Sequence, residues 1–224
     1  RCSRDWSSDV WSSDLCNVNQ LTADQWTQLP DHLHHKGAPS PWAKMTRPGQ
    51  QMHSFLEAAF FDEAGNLWLS DVPYGRVFSV SPSGDWTQMH QIDGEPHAMR
   101  IAPDGKHIVF DTLGDLFISP IDGGNAQALT QDFAWNIHPA VSPDGKQVAF
   151  ISDRDGLSNV WVMNIDGTEL RQVTKEKNNI IHSPKWSPDG QYILVTKGIM
   201  SSRSIPAGEI WMYHHTGGTG LAIK

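Results

Sequence analysis

The chain has 224 residues, 25 of them acidic and 17 basic, for a formal net charge of −8 with histidine neutral. It is long enough to bury a sizeable core, and no run of about 18 apolar residues is present to span a membrane. The acidic balance leaves no clustered Lys and Arg to grip phosphates, so nucleic acid is not an expected partner, and two cysteines, Cys2 and Cys16, cannot build a disulfide framework or a thiolate metal site.

Along the chain, residues 1–15 (RCSRDWSSDVWSSDL) come first. Trp6–Val10 is nearly duplicated by Trp11–Leu15, and a period of five fits neither a helix nor a strand. The stretch carries no apolar core of a signal peptide. It resembles translated sequencing-adapter read-through and is set aside as an artefact, the alternative being a disordered Ser/Asp tail. Residues 16–54 read as an irregular N-terminal arm, punctuated by Pro30, Pro39, Pro41 and Pro48. His32, His34 and His35 lie in it; on a polar, Pro-rich arm they are expected to be solvated rather than to ligate a metal.

From residue 55 a repeat takes over. Ile101–Phe110, Val141–Phe150 and Trp186–Val195 each carry Pro-Asp-Gly followed by a β-rich run, and Phe61–Ser70 is a looser copy. The turn glycines are Gly65, Gly105, Gly145 and Gly190, spaced by 40, 40 and 45 residues. Pro-Asp-Gly suits a tight turn, because Pro presets φ, Asp bonds the local backbone and Gly accepts positive φ. A second turn follows in every unit, at Ser83-Gly84, Asp122–Gly124, Asp166-Gly167 and Gly217-Gly218, between an apolar strand and a shorter one. Strand, turn, strand, loop, strand, turn, strand in about 40 residues is the pattern of a β-propeller blade. A β-sandwich also has many short strands, but it would not repeat the same turn chemistry at the same phase four times. The expectation is an all-β propeller over residues 55–224. Four four-stranded blades are visible, near 55–92, 97–131, 137–175 and 181–224, and read as a fragment of a larger, six-bladed ring.

Two resemblances meet near residue 100. Arg47–Gln50, Ser54–Glu57, Phe61–Trp68, Asp71–Arg76 and Phe78–Trp86 make residues 26–99 similar to the gluconolactonase and senescence-marker (regucalcin-like) family. That resemblance implies a six-bladed propeller that hydrolyses sugar lactones with an axial divalent metal, and it places Glu57 on the family's metal-binding glutamate. The family's other ligands, an Asn and an Asp, have no counterparts here, and Pro96-His97-Ala98 replaces its usual Pro-Asn-Gly. From residue 101 to 224, Asp111–Phe117, Pro120–Gly124, Ala134-Trp135, Ser152–Gly156, Asn159–Asn164 and Gly208–His214 resemble TolB-like, WD-like propeller repeats. The similarity is to the kind that precedes an amidohydrolase domain in some bacterial proteins. The join reads as a chimera, whether natural or made in assembly. The first resemblance implies a cytoplasmic protein and the second a periplasmic one.

The repeat phase singles out further residues. Eight positions before each turn glycine stand Glu57, His97, Ile137 (with His138 beside it) and His182. In a blade the innermost strand starts at the channel mouth, so these positions should face a common axis. A carboxylate with two or three imidazoles suits a divalent cation such as Zn²⁺, Mn²⁺ or Ca²⁺. A hydrated polar ring that only bonds neighbouring blades is the competing reading, and the one-residue offset of His138 would turn it to the other face. Asp71, Asp111, Asp153 and Asp155 read as turn formers rather than catalytic acids. Ser152–Asp155 suggests an exposed Arg154–carboxylate pair, Ser201–Ser204 a loop over a channel face, and Trp161, Trp186 and Trp211 blade-core packing. No nucleophile elbow, phosphate loop or dinucleotide fingerprint is present.

The function expected is a TolB-like propeller module without a complete active site. It would bind a protein partner or small ligand at the channel face, or support an amidohydrolase domain. The alternative is a metal-dependent lactonase in which Glu57 holds the metal.

Overall fold

In a computed structural model, the structure describes residues 25–38, 48–92, 94–199 and 208–223. The duplicated N-terminal stretch, Cys2, Cys16 and Ser201–Ser204 lie outside the described residues, as do Pro39, Pro41 and Arg47. Among the described residues no helix is long and apolar enough to cross a membrane.

Among the described residues the chain folds into four antiparallel four-stranded sheets. The first holds β3 (Leu56–Phe61), β4 (Leu67–Asp71), β5 (Arg76–Val80) and β6 (Trp86–Gln91). The second holds β7 (Pro96–Ile101), β8 (His107–Thr112), β9 (Asp115–Pro120) and β10 (Gln127–Ala128). The third holds β11 (Asn136–Val141), β12 (Gln147–Ser152), β13 (Asn159–Asn164) and β14 (Arg171–Gln172). The fourth holds β15 (Asn179–Trp186), β16 (Tyr192–Ile199), β17 (Glu209–His214) and β18 (Leu221–Ile223). Each sheet is a meander in chain order, as short turns between consecutive strands require. The Pro-Asp-Gly turns close as their chemistry demands. Gly105, Gly145 and Gly190 donate to the carbonyls of Ala102, Ser142 and Ser187, at 2.9, 2.8 and 2.9 Å, and each glycine has positive φ.

The first strand of each sheet contacts the first strand of the next, β3 to β7, β7 to β11 and β11 to β15. The sheets therefore pack face to face like leaves sharing an inner edge. The core follows from this arrangement. Trp68, Val77 and Ile92 of the first sheet pack with Met99, Ile108 and Phe110 of the second. Val109, Leu116 and Leu129 meet Val148, Phe150 and Met163, and Ala149, Val160 and Val162 meet Ile181, Ile193, Val195 and Tyr213. Trp161, Trp186 and Trp211 pack against these clusters. Alternate residues of a strand thus serve two different neighbours, which explains why the middle strands read as nearly unbroken apolar runs.

The N-terminal arm is tied to the first sheet. Its β1 (Lys36–Ala38) and β2 (Met52–His53) pair with each other. Trp26 Nε1 donates to the Pro82 carbonyl at 3.1 Å, and Trp86 Nε1 to Thr27 Oγ1 at 2.9 Å. The Tyr74 hydroxyl donates to the Met52 carbonyl at 2.7 Å, and the His35 ring lies 4.2 Å from that of Tyr74.

Candidate functional site

The inner strands share one irregularity. Their pairing with the second strand breaks between Glu57 and Phe60, Pro96 and Met99, Ile137 and Ala140, and His182 and Lys185. Ala58, His138 and Ser183, at corresponding points of three of these bulges, have φ of 56°, 57° and 52°. A residue held in the left-handed region bends the strand and re-aims the side chains around it. Glu57, Ile137 and His182 are the last paired residues before their bulges, and His97, at the same distance from its turn glycine, is the first residue of its own, whereas His138 sits within the bulge that follows Ile137. His138 lies one tier below the other three, because Ile137 holds the place equivalent to theirs.

At the upper tier, Glu57 Oε2 and His97 Nδ1 stand 3.4 Å apart, with side chains 39% and 49% exposed. At that length and exposure the pair contributes little to stability. His182 lies instead within electrostatic reach of His138. Among the described residues no group of three or more His, Cys, Asp or Glu side chains is gathered closely enough to hold a metal ion.

The lower tier is more tightly built. Asp111, 1% exposed, accepts the backbone N–H of Ala98 at 2.8 Å and that of His138 at 2.7 Å. Burial pushes its carboxyl above the ordinary range, against the opposing pull of those two amides and of His138 and His97. Burial likewise holds the His138 imidazole below its usual value, opposed by Asp111 and reinforced by His182, Lys185 and Arg100. His138 Nδ1 is buried without a hydrogen-bond partner. Arg100 donates to the Met99 carbonyl at 2.6 Å, and its guanidinium lies 5.4 Å from the centre of the Phe60 ring. Lys185, although an exposed residue, is lowered to about 8 by lost hydration and by the charge of Arg100.

Arg100 and Lys185 were not singled out from the sequence, yet the same counting finds them. Five residues before the turn glycines stand Phe60, Arg100, Ala140 and Lys185. The ladders confirm the equivalence, since Arg100 pairs with Val109, Ala140 with Ala149 and Lys185 with Leu194.

Other expectations are corrected. Asp71 and Asp111 do not form turns through their side chains: both lie inside strands and are fully buried. Asp71 accepts the Phe55 N–H at 2.9 Å and pairs with Arg76, whose Nε lies 3.1 Å away. Asp153 and Asp155 do occupy the β12–β13 turn, where Asp153 also accepts the Trp135 N–H at 2.7 Å. Arg154 pairs not with its neighbours in sequence but with Asp132, at 3.2 Å, and bonds Asn136 at 2.7 Å. In the arm, the rings of His34 and His53 are 6.1 Å apart, while His35 is spent on Tyr74.

Four meandering sheets whose bulged first strands line up around a polar centre define a β-propeller module. Residues 98–220, more than half of the chain, match the Tricorn protease N-terminal beta propeller domain, and the chain belongs to that family. The match begins where the two resemblances were expected to meet. Tricorn protease homolog 1 of Streptomyces coelicolor is 33% identical over 102 residues, 45% of this chain and 10% of that protein. The Tol-Pal system protein TolB of Desulfosudis oleivorans is 31% identical over 110 residues, 47% of this chain and 23% of that protein. Lactonase drp35 of Staphylococcus aureus is 30% identical over 101 residues, 42% of this chain and 30% of that protein. The crystal structure of the tricorn protease superposes with a TM-score of 0.56 at 21% identity, over 79% of this chain and 17% of that one. The chain spans only 10% to 16% of the first tricorn-type relatives.

Proposed function

We propose that this propeller is a binding and scaffold module that receives a protein segment or small ligand at the axial mouth and leaves chemistry to a hydrolase domain. The observation that carries this reading is the two-tiered polar centre. Groups from successive sheets converge there with hydrogen-bonding capacity unspent, notably His138 Nδ1, and among the described residues they assemble no metal cluster. The tricorn homologue is named a protease, which favours a peptidase as the hydrolase served over the amidohydrolase that the sequence resemblance implied. As a TolB-like module it would act in the periplasm. The test is an NMR screen of the labelled chain with short peptides and small metabolites. Amide shifts should gather at Glu57-Ala58, His97-Ala98, Ile137-His138 and His182-Ser183; shifts confined to β6, β10, β14 and β18 would refute it.

A lactonase reading rests on the drp35 likeness and on the Glu57–His97 pair, which offers two donors to Ca²⁺, Mn²⁺ or Zn²⁺. Lactone hydrolysis with each ion, abolished by Glu57→Gln, would establish it and displace the first reading.

A further inference from the structure

We propose that Arg100, Lys185 and the Nδ1 of His138 form a site for a small phosphate-class dianion on the propeller axis. The inference deepens the binding-module reading by naming a ligand class for the lower tier.

The three groups come from three successive inner strands, β7, β11 and β15, which touch one another in that order. Arg100 and Lys185 hold the same register position in the second and fourth sheets. The intervening sheet carries Ala140, with only a methyl, at that register position. Among the described residues neither cation forms an ion pair. The acid nearest in charge, Asp111, already has both oxygens engaged by backbone amides. Two cations without ion-pair partners, near enough for the charge of Arg100 to act on Lys185, are costly to hold together, and an anion between them removes that cost.

His138 adds direction. Its backbone is locked by the bond to Asp111 and by a φ of 57°. A buried ring nitrogen without a partner is an expense that folded proteins rarely retain without a use. In the neutral imidazole, the tautomer protonated at Nδ1 donates one hydrogen bond. A tetrahedral phosphate can present separate oxygens to three donors arriving from three strands, whereas a carboxylate has two oxygens held in one plane. Its two negative charges match the two cations.

The experiment is isothermal titration calorimetry of the whole chain with inorganic phosphate, with glycerol 3-phosphate and with succinate. It is run on the native protein and on Arg100→Met, Lys185→Met and, as a control on the opposite turn, Lys106→Met. Expected are saturable binding of one or both phosphates, at least tenfold weakening in Arg100→Met and Lys185→Met, and no change in Lys106→Met; the tighter phosphate shows whether the free or the esterified form is preferred. A matching readout is a phosphate-dependent shift of the His138 side-chain ¹⁵N resonances. If Arg100→Met unfolds by circular dichroism, Lys185→Met decides alone, since that side chain is exposed. No saturable phosphate binding, unchanged affinity in Lys185→Met, or tighter binding of succinate would overturn the proposal. Should phosphate fail while peptides or metabolites still shift the mouth amides, the binding module stands and this ligand class falls.

Discussion

Asp111 and His138 belong to different sheets, yet the carboxylate of the first accepts the backbone N–H of the second at 2.7 Å. The other oxygen takes the Ala98 N–H of its own sheet at 2.8 Å. One buried side chain thus pins two bulged inner strands together. Asp111→Ala leaves both amides unsatisfied and should cost roughly 2–4 kcal/mol, read from denaturant midpoints at constant m-value. The raised carboxyl also predicts a pH effect. A group that holds its proton more tightly when folded stabilises most at low pH. Its contribution declines as pH rises from the ordinary carboxylate range through its raised value. Subtracting the Asp111→Asn curve from the native one should isolate a downward slope in that window; a flat difference would contradict it.

Much of this was legible in the sequence. The four Pro-Asp-Gly-type turns placed four sheets because the same chemistry recurs in phase. The middle strands told less, since alternate residues face two different neighbours and read only as apolar. Counting back from the turn glycines found Glu57, His97 and His182, but not the bulge that sets His138 in another tier; a left-handed residue leaves no mark when it is Ala, His or Ser. Asp71 and Asp111, grouped together as turn formers, do not hold the same place. In the first sheet Phe61 pairs with Leu67, whereas Ile101 pairs with Ile108 in the second. That turn is one residue shorter, so Ser70, not Asp71, stands level with Asp111. Arg100 and Lys185 were in plain view at a fixed phase, but a long cation on a strand ordinarily means solvent.

Arg76 and Asp71 form an ion pair buried at 7% and 0% side-chain exposure. Asp71 also holds the Phe55 N–H, and Arg76 reaches Ser54 Oγ at 3.1 Å. Removing one partner strands the other charge, so Asp71→Asn or Arg76→Met should each cost about 3–5 kcal/mol. The double variant should cost less than the sum of the two, which a double-mutant cycle by chemical denaturation checks.

Lys185, lowered to about 8, is the lysine most open to acylation near that pH. Limited treatment with an amine-acylating reagent at pH 8, followed by peptide mass mapping, should label it ahead of exposed Lys106 and Lys146. A base depressed on folding also makes stability rise with pH between about 8 and its ordinary 10.5. Partial exposure keeps that rise small, and Lys185→Met should flatten it.

Gly75 closes the turn after β4 with φ of 63° and accepts the Ile92 N–H at 2.7 Å. A methyl there would run into the carbonyl oxygens of Ile92 and Gly94. Gly75→Ala should therefore cost at least about 2 kcal/mol, while Gly105→Ala, which meets nothing nearby, should cost less. Paired thermal melts settle the order.

Each of the three apolar clusters is drawn from two adjacent sheets. Among the described residues each such cluster needs two leaves to close it, so the least unit that completes one is a pair. Excising any single leaf would strip one wall from whatever it touched, and damage at one seam should travel to the next rather than remain where it was made.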